Sequence, residues 1–476
     1  MKPSSKLPLS KPTLLLVCTL LMLPWSQSSF AADLLQVYEL ARKNDAQLMI
    51  AEANYLAASQ GVPLAESTNR PQLSLGGTGS VRETDESNSG RNSSSNAGFN
   101  VNLTQSLFNT ENDGNISVAE ANTAAELAVL KGARQGLLLR AARAYFAILA
   151  ATDNVEFTYA ERNAIARQLE EAQKRFEVGL IAITDVQESQ AAYDQAIANE
   201  IGAKRQLATA REFLREITGE YVTKLSAPKD DMPLRRPERS EREWVDLSLS
   251  QNLNLVASRL DEELARDEIS FRRTGHYPTL DLVVRTGSQK SEGNGSTTFP
   301  GPPAVVEPYS SDDDRNFDSI SLQFNVPLFA GGGTSSRVRE AVYLHRAARE
   351  QLQRVTRETE RQSRDAYLGV LAEESRVKAL KQAVASSQTA LEATQAGFDV
   401  GTRTIVDVLN SQFALYAAKT NYQRSRYDYI LNALRLKQAA GTLQVQDLEQ
   451  IDQWLAERKP PEEVIAEEEA AKESGS

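Results

Sequence analysis

The chain of 476 residues has few of the side chains on which most catalytic chemistry depends: two histidines and one cysteine. Zinc sites need several Cys and His ligands, and a hydrolase triad needs a general base. The sequence therefore predicts a protein that is not an enzyme and that holds no metal or other cofactor. Hydrophobic residues make up 41% of the chain, too few for a bundle of transmembrane helices. The net charge of -11 argues against nucleic acid as a partner.

The N-terminus has the layout of a secretory signal. Lysines precede an apolar run over residues 13–23, and small residues follow it. Such a segment is removed on export and is too short, with these flanks, to be a spanning helix. We expect residues 1–31 to be a signal peptide, cleaved after Ala31 or Ala32. Because Cys18 lies inside it, the exported chain is expected to have neither a disulfide nor a lipid anchor.

Two long proline-free stretches are rich in Ala, Leu, Gln, Glu, Arg and Lys, which are strong helix formers. Apolar residues return in them at steps of three and four. This pattern predicts helices over residues 115–178 and 334–395, each about 95 Å long at 1.5 Å per residue.

A similar sequence interrupts each helical stretch near its end. The first copy reads FEVGLIAITDV from residue 176, and the second reads FDVGTRTIVDV from residue 398. Gly179 and Gly401 are typical of helix C-termini, and Thr184 or Thr404 is suited to start the next helix. Both copies therefore predict the tip of a helical hairpin.

Apolar and polar residues alternate in four short runs, two in each half of the chain, with long polar segments at 83–96 and 286–316. The runs predict two β-hairpins with polar loops. One apolar face fits a transmembrane strand, but four strands cannot close a barrel, so several chains would have to share one. A small soluble sheet that caps a helical stalk fits the pattern equally well.

The order of segments indicates one structural unit used twice. The first copy covers residues 32–220, and the second covers 242–443. Residues 221–241, rich in proline and charge, join the two copies. Residues 444–476 form a C-terminal segment whose acidic end we expect to be disordered.

The duplicated order, the two tip sequences and the export signal together resemble the TolC family of outer-membrane channel-tunnels, over essentially all of residues 33–443. The resemblance implies a mainly α fold with a small β part. In it, three chains share a twelve-stranded membrane β-barrel that continues as a long α-helical barrel across the periplasm. It also implies a homotrimer in outer-membrane lipid that works with a periplasmic adaptor. The inner-membrane partner would be an ABC, RND or MFS transporter, for type I secretion or multidrug efflux.

The resemblance also assigns a gate to the tips. Arg403 would bridge to Asp185 and Thr184 and lock the tunnel closed. Phe398 stands where the family's familiar pattern has a gate tyrosine, and it cannot donate a hydrogen bond. The closed state is therefore expected to depend more strongly on Arg403.

Two further groups of residues follow from the resemblance. Asp407 would line the narrowest ring of the tunnel, where crowded carboxylates favour cations. Asn410 replaces a second ring acid, which predicts weaker cation binding. The hairpin apices, where an adaptor would dock, consist of Gly179, Leu180, Gly401 and Thr402.

Two alternatives stay open at this point. Within the family, the chain would be a dedicated drug-efflux channel, although such channels often carry an N-terminal lipidated cysteine. Outside the family, it would be an exported coiled-coil structural or adhesive protein without a pore.

Overall fold

A computed structural model describes residues 32–86, 90–222, 224–301 and 303–474, so the expected signal peptide lies outside the described residues. Within these ranges the chain is dominated by helices. Its elements are α1 (Leu34–Asn44), α2 (Ala46–Ser67), β1 (Gln72–Glu86), β2 (Gly90–Asn109), α3 (Thr110–Glu177), α4 (Ile183–Thr218), β3 (Ala227–Pro228), α5 (Glu241–Gln251), α6 (Leu253–Arg273), a 3-10 turn (Thr274–His276), β4 (Thr279–Phe299), β5 (Val305–Asn325), α7 (Gly333–Asp399), α8 (Ile405–Ala439), α9 (Val445–Asp452), β6 (Leu455–Ala456) and α10 (Pro461–Ser474).

The long helices are slightly longer than predicted. Helix α3 has 68 residues and α7 has 67, so each is about 100 Å long. Helix α4 folds back along α3, and α8 folds back along α7, which gives two helical hairpins. At the other end of the long helices, α2 and α6 pack beside them. None of the helices in the described ranges is both long and apolar enough to cross a membrane.

The main sheet is antiparallel, with strand order β1-β2-β4-β5. Because side chains alternate across a strand, each cross-strand row belongs to one face. One row is wholly apolar and consists of Leu73, Leu103, Val284 and Ile320. The next row, on the opposite face, is polar and consists of Ser74, Asn102, Arg285 and Ser319. On the apolar face, Leu73 is 73% exposed and Ile320 is 79% exposed within one chain.

The hairpins are longer than the sequence predicts. Most residues expected in polar loops continue the strands, since β1 runs to Glu86 and β4 runs to Phe299. An antiparallel ladder bonds through backbone groups, so it continues where apolar alternation stops. Strands β1 and β5 remain the edges of an open sheet. In lipid such edges must pair, which requires other copies of the chain.

The largest apolar cluster lies near mid-length of α3, where α1, α9 and the small β3–β6 sheet pack on α3 and α8. We call this region the waist. Tyr145 is fully buried there, and its hydroxyl donates to the carbonyl of Ser226 at 2.6 Å. Asp452 accepts hydrogen bonds from the amides of Leu34 and Leu35 at 2.9 and 3.0 Å, which caps α1. Burial nevertheless raises the pKa of Asp452 to about 6.

The prediction of a disordered acidic tail is wrong for residues 461–474, which form α10. Two acids in the first turn of this helix are favourable beside its N-terminus. They also meet cations, with Arg211 2.7 Å from Glu462 and Lys224 3.0 Å from Glu463. The acids that suggested disorder are thus partly neutralised by the rest of the chain.

Candidate functional site at the hairpin tips

The first tip connects α3 to α4. Gly179 adopts φ +76°, a left-handed conformation that favours glycine at a helix end. Its amide donates to the carbonyl of Phe176 at 2.9 Å, and the amide of Leu180 donates to the carbonyl of Arg175 at 2.9 Å. The predicted C-terminal glycine is therefore confirmed. Thr184 does not start the next helix, because α4 begins one residue earlier after Ala182, which makes no side-chain cap.

The second tip connects α7 to α8 through Gly401, with φ +77°. Thr404 starts α8 with a reciprocal cap, as predicted. Its hydroxyl accepts from the amide of Asp407 at 3.3 Å, while the Asp407 carboxylate accepts from the Thr404 amide and hydroxyl at 3.0 and 2.9 Å. These two bonds lower the pKa of Asp407, and the charge of Arg403 lowers it further. The carboxylate therefore stays ionised and fixed in direction.

The two hairpins of one chain pack together just above the tips. Phe398 is only 6% exposed. It belongs to a small apolar cluster whose other buried members are Ile165, Ala196, Ile405, Val408 and Leu409. Because Ile165 and Ala196 come from the first hairpin and the others from the second, this cluster holds the hairpins side by side. Phe398 thus contributes through burial and, unlike a tyrosine, offers no hydroxyl.

Arg175 makes a polar link between the hairpins that the sequence analysis missed. Its guanidinium lies 3.1 Å from the carboxylate of Asp399 and 4.7 Å from the centroid of the Phe398 ring. It also pairs with Glu171 on its own helix at 2.5 Å. Arg175 directly precedes the first tip motif, but no local signal relates it to a ring more than 200 residues away.

Within the described part of a single protomer, no ion pair or hydrogen bond joins Arg403 to Asp185 or Thr184. Asp185 is half-buried, while Thr184 and Arg403 are exposed. Asp407 and Asn410 lie three residues apart on α8, which places them on one face of the helix. Asn410 is exposed.

The apices themselves are open to solvent. Leu180 is 73% exposed and Val400 is 75% exposed. A Cβ built on Gly179 or Gly401 would meet no atom within 4 Å. Thr402 is also exposed, and its hydroxyl donates to the carbonyl of Gly397 at 3.0 Å. Among the residues that the structure describes, no group of His, Cys, Asp and Glu side chains could hold a metal ion.

Comparison with known proteins relates this arrangement to bacterial channels. A sequence profile described as outer membrane efflux protein matches residues 37–220 and 244–442. The outer membrane protein TolC of Vibrio cholerae is 36% identical over 90% of this chain and 95% of its own length. The alkaline protease secretion protein AprF of Pseudomonas aeruginosa is 29% identical over 89% of this chain and 87% of its own. The structure of the Campylobacter jejuni CmeC outer membrane channel superposes with a TM-score of 0.70 at 14% identity, covering 95% of this chain and 98% of that one.

Proposed function

The chain belongs to the outer membrane efflux protein family and is an outer-membrane exit duct, and on this premise we propose that it works as a homotrimer gated at its hairpin tips. The main support for a trimer is the open four-stranded sheet with one apolar face. Three such sheets supply the twelve strands of a closed barrel, which leaves no unpaired edge in lipid. Six helical hairpins would then continue the duct below the membrane.

The gate that we propose combines a link within each protomer and a link between protomers. Within a protomer, Arg175 ties α3 to Phe398 and Asp399. Between protomers, Arg403 would reach Asp185 and Thr184 of the neighbouring copy. Its exposed side chain, free of an acidic partner at ion-pair distance in the described part of its own chain, supports this role. Opposite charge and hydrogen bonding would favour the closed state until a partner binds the open one better.

Asp407 would form the constriction ring around the three-fold axis. Its reciprocal bonds with Thr404 anchor the carboxylate to the start of α8. Because Asn410 is neutral, this ring would carry one acid per protomer at these two positions, and it would select cations only weakly.

The partners would be a periplasmic adaptor and an inner-membrane transporter of the ABC, RND or MFS class. Exposed apolar side chains at the apices, next to Gly179, Leu180, Gly401 and Thr402, support docking there. Energy would come from the transporter. Identity to TolC and AprF favours a secretion or multipurpose duct over a dedicated drug-efflux channel, since the likeness to CmeC at 14% identity concerns the fold alone.

Single-channel recording in planar bilayers tests the proposal, with purified full-length protein and Arg403→Ser. We expect a small cation-selective conductance that rises severalfold in the variant. Arg354→Ser is the matched control, because Arg354 is on α7 away from the tip and pairs with Glu358 at 3.0 Å. If Arg403→Ser leaves the conductance unchanged, the proposed lock between protomers is wrong. A well-folded protein that forms no pore would overturn the duct.

A further inference from the structure

A polar cleft of about 430 Å³ lies between α3, α6, α7 and α8 at the level of the waist. Two arginines line it, Arg143 from α3 and Arg435 from α8, and both side chains are exposed. Neither guanidinium has a carboxylate within ion-pair distance among the described residues. Arg435 donates only to the neutral side-chain oxygen of Asn432, at 2.8 Å. Burial and the charge of Arg435 lower the pKa of Arg143, so the positive charge of Arg435 disfavours that of Arg143.

The helix ends at this cleft add positive potential. Leu253 and Asn254 line it and form the first turn of α6, where the helix dipole is positive. Carbonyl groups at the negative C-terminal end of α8, which also borders the cleft, already accept hydrogen bonds. The Asn252 side-chain amide donates to the carbonyl of Ala439 at 2.8 Å, and Gln135 donates to the carbonyl of Gly441 at 2.8 Å.

One acid also lines the cleft, but it is already engaged. The carboxylate of Asp365 accepts from Arg361 on its own helix at 2.8 Å. The remaining polar lining includes the amide side chains of Asn432 and Gln438, which can donate hydrogen bonds, and that of Gln362, which already donates to Glu358 at 3.0 Å. We propose that this cleft is a binding site for an oxyanion group, a carboxylate or a phosphate, on a molecule inside the duct. Two guanidiniums and a helix N-terminus are the donors that such groups prefer.

The position of the cleft on α3 supports access from the interior. Tyr145 points into the waist, where its hydroxyl reaches Ser226. Arg143 lies two residues earlier, about 200° around the helix, so it faces away from the waist segments. In the proposed trimer, a waist placed at the periphery would leave the cleft open to the duct. This step depends on the proposed function, whereas the binding chemistry does not.

Isothermal titration calorimetry on the detergent-purified full-length protein tests the site, with citrate and inorganic phosphate as separate probes. We expect at least one probe to bind the wild type. Arg143→Gln and Arg435→Gln should each weaken binding by about tenfold or more, because each removes a charge-assisted hydrogen bond. Arg354→Gln removes one cation from α7 outside the cleft and should leave the affinity unchanged. The stronger probe identifies whether carboxylate or phosphate is preferred.

Two results would overturn the inference. The first is that neither probe binds; a lower trimer dissociation temperature in Arg435→Gln would then mean that a neighbouring protomer fills the cleft. The second is that all variants bind equally. Calorimetry detects binding whether or not the protein forms a pore. A protein that conducts but binds neither probe therefore contradicts the proposed binding site and leaves the proposed duct in place. A protein that binds citrate without conducting contradicts the duct and leaves the cleft in place.

Discussion

Replacing Arg175 with glutamine tests whether one side chain ties the two hairpin tips of a protomer together. The ion pair to Asp399 joins side chains that are 27% and 51% exposed, so screening reduces it to about 0.5 kcal/mol. The contact with the buried Phe398 ring, at 4.7 Å, is worth about 1–2 kcal/mol because the ring face is largely desolvated. Together they stabilise the contact between the two hairpin tips by about 2 kcal/mol, which corresponds to about a thirtyfold shift in the local equilibrium.

The assay is the conductance of single channels at low salt, where Arg175→Gln should open the duct more often or more widely. Asp399→Asn should have a small effect, because it removes only the screened ion pair. Lys174→Gln is the matched control: Lys174 is the neighbouring cation, is 71% exposed and pairs with Glu170 on its own helix at 2.6 Å. A conductance in Arg175→Gln equal to that of Lys174→Gln would refute the reasoning.

Two further predictions concern stability, measured as the dissociation temperature of the proposed trimer. Arg458→Ala leaves the carboxylate of Asp153, whose side chain is 3% exposed, without its cation, and should lower the free energy of unfolding by about 3 kcal/mol per protomer. Lys459→Ala removes an exposed ion pair and should be nearly neutral. Equal effects of the two variants would contradict this prediction. Burial raises the pKa of Glu161 from 4.5 to about 7, so the folded chain retains a proton that the unfolded chain releases. Its contribution to stability therefore falls as pH rises from about 4.5 to 7, and Glu161→Gln should stabilise the trimer at pH 8 but not at pH 4; identical pH profiles would argue against it.

The features that the sequence predicted well are local ones. The lengths of α3 and α7 follow from their helix-forming residues and from the helical spacing of their apolar residues. Both signals depend only on residues in the same or neighbouring turns of the helix. The caps at Gly179, Gly401 and Thr404 likewise involve residues only a few positions apart. The likeness of the two tip sequences was sufficient to place both hairpin turns.

Other features depend on segments that are far apart in the chain. The strands continue through polar residues because neighbouring backbones hydrogen-bond, whatever the side chains are. Helix α10 forms where composition suggested disorder, and distant segments contact it: Arg211 and Lys224 pair with its acids, and Ile465 packs against the apolar cluster of the waist.

The sequence by itself thus determined the helices, the turns and the family resemblance, since each is encoded in short-range patterns that repeat in the two halves of the chain. Only the tertiary structure decided that Arg175 contacts the Phe398 ring and that Arg143 and Arg435 line the same cleft. Each of these pairs joins residues on different helices, separated by more than 200 positions. Their meeting depends on the relative rotation and offset of packed helices, which no local pattern specifies.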